Sequence, residues 1–184
     1  MKHGCTKPRG CLMIEHRLIE RAIVLMKAER ERLVGGGSLD PVVIDTLVDF
    51  IRTYADRCHH GKEEDILFKD LERRPLSDSE RTLMDELVEE HKLGRKLTAT
   101  MLEAKNDVVA GQTERLPELL GAMQDLIEFY PKHIEKEDKQ FFPETERHYT
   151  KDELDRMIES FYSFDMQMIH EKYKDVVDSL GQDG

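Results

Sequence analysis

The chain has 184 residues, 36% of them charged, 7% aromatic and none tryptophan, with a formal net charge of −11. That length suits one domain with a core of its own, and the charge excludes nucleic acid and anionic membrane as primary partners. Six prolines among many Lys, Glu, Leu, Met and Arg favour an all-α fold.

Residues 1–10 read as a polar N-terminal tail. Lys2, Lys7 and Arg9 are there, but no apolar signal region follows and no run approaches a membrane span. Cys5, Cys11 and Cys58 are an odd set without framework spacing, so a reducing, cytoplasmic setting is expected. Cys58 reads as a small buried hydrophobe, and Cys5 and Cys11 as residues of a mobile tail open to thiol exchange.

The first helix is expected from about Gly10 to Leu33, with Leu12, His16, Ile19, Ile23 and Met26 on one face. Gly35-Gly36-Gly37 ends it. Ser38 or Asp40 can cap the second helix, with Pro41 in its first turn. Its inner stripe is Ile44, Val48, Ile51, Ala55, His59, Glu63 and Ile66, and it stops before Pro75. Ser77-Asp78-Ser79-Glu80 is a capping box opening the third helix, where Met84, Leu87, Val88 and His91 share a face before Gly111.

The fourth helix starts between Arg115 and Pro117 and carries Leu119, Met123, Leu126, Tyr130, His133, Glu137 and Phe141 on one face. Pro131 lies inside it and is expected to kink it. A second capping box, Thr150 to Glu153, opens a fifth helix to about Leu180, with Met157, Ile158, Phe161, Phe164, Met168 and Tyr173 in its stripe. The short loops imply an all-α, up-down-up-down four-helix bundle over 11–147 with an additional C-terminal helix over 148–184, packed on the bundle or serving a dimer contact. A monomer or homodimer is expected.

Two stretches repeat one message. His59-His60-Gly61-Lys62-Glu63-Glu64 is echoed by His133-Ile134-Glu135-Lys136-Glu137-Asp138, and Glu15-His16 by Glu90-His91, at offsets of 74 and 75 residues. An internal duplication whose shared polar residues are histidine and glutamate points to a metal. His16, His59, His91 and His133 each fall on an apolar face, and Glu63 and Glu137 follow one turn after two of them. Two carboxylates among four imidazoles in an apolar core would be costly without a divalent cation. The duplication assigns one metal to His16 and His59 and the other to His91 and His133, with Glu63 and Glu137 bridging. Iron or manganese suits that set, and zinc is tolerated. His60 with Glu64 is an alternative register. Alignment of the copies prefers His59 with Glu63, so replacing Glu64 is expected to leave the metals in place.

The order His-x-x-x-Glu separates this chain from the Glu-x-x-His of ferritin-like bundles. The chain resembles the hemerythrin-like, or HHE cation-binding, family over Met13 to Glu146. The histidine intervals of 43, 32 and 42 residues fit. The resemblance implies two iron ions in a non-heme, oxo- or hydroxo-bridged centre that binds or senses O2, NO or peroxide. Catalysis on peroxide or NO, iron–sulfur cluster repair, and a metal that only holds the bundle together are alternatives. Transport members of the family carry a fifth histidine at the position of Arg95. Its replacement here leaves His60, Glu15, Glu90, Tyr130 and His170 as candidates to complete the set.

Overall fold

The computed structural model describes residues 5–180, with side chains through 168. Helix α1 spans Pro8–Val34 and starts two residues before the expected Gly10, because Pro8 is pre-set for a first helical turn. The expectation of a mobile tail around Cys5 and Cys11 is corrected. They form a disulfide that ties the tail to the first turn of α1. Gly36, at φ +88°, ends the helix in a conformation that only glycine adopts without strain.

Helix α2 covers residues 41–71. Asp40 caps it by accepting from the Val42 amide at 2.9 Å. It winds as α-helix over Pro41–Phe50, then as π-helix over Ile51–His60 and Glu63–Phe68. Helix α3 is Asp78–Val109, opened by the Ser77–Glu80 capping box. Helix α4 covers residues 116–145, and is π-helical over Glu137–Phe141. It runs unbroken through Pro131. Helix α5 is Lys151–Leu180, entered through reciprocal bonds between Thr150 and Glu153.

Helices α1–α4 form the antiparallel bundle. The end of α1 meets the start of α4 where Arg30 donates to the Leu120 carbonyl, and the end of α3 meets the start of α2 where Lys105 pairs with Asp45. Two apolar clusters fill it. One holds Ile23, Ile44, Val48, Met101 and Leu126, and the other Leu12, Phe68, Leu87, Phe141 and Phe142. The paired histidines and glutamates lie along each helix between these two clusters, so the bundle presents a polar layer sealed above and below.

Helix α5 lies outside, against α1 and α2. Met157 and Phe161 enter the second cluster, and Asp165 pairs with Lys62 at 2.8 Å. Gly61 makes room for this docking, since a Cβ there would lie 2.7 Å from the Phe164 ring tip. No described helix is long and apolar enough to cross a membrane.

Candidate metal centre

The winding of α2 decides which side chains face inward. At 3.6 residues per turn, neighbours point about 100° apart, and only one of two adjacent histidines faces the core. The i→i+5 winding is wider, and short π segments recur at functional sites. Here it buries His59 and His60 together, each 1% exposed, and brings Leu67 and Phe68 inward in place of the expected Ile66. The matching π segment in α4 buries Glu137, Phe141 and Phe142.

The six residues singled out by the duplication come together in the layer, all at 2% exposure or less. The Nε2 atoms of His16 and His59 are 2.8 Å apart, converging on one point. His91 and His133 lie on the other side, their ring centroids 5.0 Å apart, and His60 joins them. His16, His59, Glu63 and Glu137 thus form one possible ligand group and His60, His91 and His133 another. The two glutamates connect the groups. Glu63 turns Oε1 toward His59 and Oε2 toward His91, each at 3.5 Å. Glu137 turns Oε2 toward His16 at 3.1 Å and Oε1 toward His133 at 3.2 Å.

Each imidazole is held from behind. His16 donates through Nδ1 to Asp138 at 2.7 Å, His59 to Glu15 at 2.8 Å, His91 to Glu64 at 2.7 Å and His133 to Glu90 at 2.8 Å. His60 places Nδ1 3.5 Å from Asp56. A carboxylate only accepts, so Nδ1 carries a proton in each bonded pair, and Nε2 faces the centre. Every one of these acids also meets a cation: Asp138 meets Arg17, Glu15 meets Lys62, Glu90 meets Lys136, and Asp56 and Glu64 share Arg95. The duplication thus extends to the supports. Glu15 and Lys62 serve His59 as Glu90 and Lys136 serve His133.

Protons are distributed unevenly. Burial opposes charge on His16, but Asp138 and Glu137 outweigh it and raise its pKa to about 9. Burial pushes His59 down to about 4, so His16 donates across the 2.8 Å contact and His59 accepts. Burial and the neighbouring His91 hold His60 neutral. Burial and the charge of Glu137 push Glu63 well up. Burial works against the Glu137 charge as well, yet the surrounding histidines hold its carboxyl well down.

Both oxygens of Glu63 and of Glu137, both nitrogens of His60, and Nε2 of His91 and His133 have no hydrogen-bond partner among the described residues. Orphaned buried groups of this kind are costly in a folded protein. Lone pairs converging from imidazole and carboxylate are the donor set of a divalent transition metal, so these residues fit a metal pair.

Among the candidates to complete the set, Glu15 and Glu90 stand behind His59 and His133, outside the ring of inward atoms. Tyr130 is buried with its ring stacked on His60 at 6.5 Å, and the His170 side chain lies outside the described residues. His60 is the one whose ring enters the layer. The Cys58 thiol donates to Asp165 away from the centre. Asp56 and the cations behind the acids were not legible from the duplication, although Asp56 stands one helical turn before His60, where a supporting acid can reach it.

A family model described as the hemerythrin HHE cation binding domain matches residues 11–145. No curated protein and no solved structure matches the chain. The match takes in both copies of the duplication and all four helices of the bundle. The chain belongs to the hemerythrin HHE cation-binding domain family.

Proposed function

We propose that this domain holds two iron ions and binds or senses O2 or a related small molecule, NO or peroxide. His16 and His59 would hold one ion, and His60, His91 and His133 the other. Glu63 and Glu137 would bridge them. The observation that carries the reading is the ring of buried, unpartnered imidazole nitrogens and carboxylate oxygens, in which each glutamate offers one oxygen to each histidine group. Iron suits five imidazoles and two carboxylates, and manganese or zinc could substitute.

The metals, when bound, supply the redox and ligand-exchange chemistry. The chain's own residues set its conditions. Asp138, Glu15, Glu64 and Glu90 fix the imidazole orientation and raise ligand basicity. Leu12, Phe68, Phe141 and Phe142 on one side, with Ile19, Ala55 and Leu126 on the other, exclude water from the layer. The two-histidine group offers fewer protein donors than the three-histidine group, so an exogenous ligand would find room on the His16 and His59 side.

Anaerobic reduction followed by exposure to O2, NO or peroxide tests this. A reversible spectral change with O2 supports binding or sensing. Multiple turnovers of peroxide or NO favour the oxidoreductase or cluster-repair alternative. A colourless zinc form that iron cannot replace refutes the redox reading.

A further inference from the structure

A cleft of about 550 Å3 opens between α2 and α3 and ends on His60 and Tyr130. Its volume lies in the range of organic-ligand pockets and is far larger than a diatomic needs. Ile51, Ala99 and Leu102 supply apolar walls. Gly94 contributes no side chain to the lining and sits where a Cβ would lie 3.2 Å from Phe129, so the cleft stays open as α3 presses on α4.

The floor carries an unmet polar group. Tyr130 is 1% exposed, and its hydroxyl has no partner among the described residues. A tyrosine hydroxyl can donate a hydrogen bond. His60 beside it is equally buried, with no hydrogen bond to the described residues. Charges at the rim are already met within the protein. Arg95 is held by Asp56 and Glu64, and Asp107 by Arg115. Arg52 and Glu103 carry opposite signs, so the rim attracts neither anion nor cation strongly.

We propose that this cleft binds a neutral organic molecule, which lays an apolar body against Ile51, Ala99 and Leu102 and accepts a hydrogen bond from the Tyr130 hydroxyl. The site stands next to the three-histidine group and rests on the reading above for the metals behind His60. It adds a ligand larger than O2, NO or hydrogen peroxide, placed on the side of the centre opposite His16 and His59.

The test is a fluorine NMR titration of the full iron-loaded chain with 4-fluorobenzyl alcohol, with iron content measured in the same samples. Saturable binding with a Kd on the order of 1 mM is expected. Ala99→Trp, at an exposed position, should weaken it at least tenfold with iron content unchanged. Leu102→Trp should do the same from further along the wall. Tyr130→Phe should weaken it about fivefold, the loss of one hydrogen bond. No saturable binding, or equal binding in both tryptophan variants, overturns the proposal. If the preparation holds no iron but the probe and variants behave as stated, the cleft stands and the di-iron reading falls.

Discussion

The imidazoles of His60 and His91 lie nearly parallel, their ring centroids 3.9 Å apart and their planes 11° from each other. This stacking, across two helices, puts the second histidine of the His59-His60 pair into the three-histidine group. His60→Ala should therefore lower the stoichiometry from two irons per chain toward one, retained by His16, His59 and the glutamates. Metal analysis after gel filtration checks it. Cys58→Ala, one helical position before His59 but directed at Asp165, should keep both irons.

Glu63→Gln separates the roles of metal and fold. Without metal, Glu63 is a buried carboxyl with neither oxygen partnered. Burial and Glu137 already hold it protonated, and Gln needs no proton to stay neutral, so the change should stabilise the metal-free protein at neutral pH by about 1–3 kcal/mol. The same change removes a bridge, so added iron should no longer raise the melting temperature as it does in the parent. Glu137→Ala should likewise abolish the pair. Thermal melts with and without iron measure both effects.

The acids behind the histidines should matter less, but measurably. Glu15→Gln, Glu90→Gln and Glu64→Gln each keep side-chain volume and leave the inward ligands in place. Each should weaken iron affinity about 10–100-fold in competition with a chelator. For Glu64 this revises the expectation of no effect, because its carboxylate accepts from His91 and from Arg95.

Metal-free and metal-loaded proteins should differ in pH dependence. The pKa of His16 rises from 6.5 to about 9 on folding, so its contribution is complete below pH 6.5 and lost as pH climbs through 9. The raised pKa values of His91 and Glu63 act in the same direction. The metal-free protein should lose stability between pH 6.5 and 9, with His16 contributing at most about 3 kcal/mol. The loaded protein should be nearly flat there, since metal replaces the proton. Denaturant melts across that range decide it.

Lys62→Met tests the anchor of α5. Lys62 is 1% exposed and pairs with Glu15 and Asp165. Its loss leaves two acids facing each other and should cost about 3–5 kcal/mol. Loss of stability measured by denaturant, with weakened iron binding through Glu15 and His59, is the expected pair of outcomes.

The bundle was legible because its signals are local. Apolar spacing along each helix, Asp40, and the boxes at Ser77 and Thr150 mark the elements without reference to the rest of the chain. The duplication likewise singled out His16, His59, Glu63, His91, His133 and Glu137. His60 stood among the candidates to complete the set, but its inward turn together with His59 was not legible, because it depends on π winding, which the 3.6-residue period does not contain. Glu15 and Glu90, each next to a ligand histidine in sequence, were readable as supporting acids, whereas the support of His16 was hidden for a different reason. Asp138 reaches His16 across 122 residues of sequence, and only packing reveals that contact. The Cys5–Cys11 disulfide escaped because three cysteines without a framework carry no pairing signal.

Iron analysis with electron paramagnetic resonance of the oxidised, iron-loaded chain addresses the centre most directly. Two irons per chain, with no resonance because the paired ferric spins cancel, is the predicted result. One iron per chain with an isolated high-spin ferric signal would contradict it.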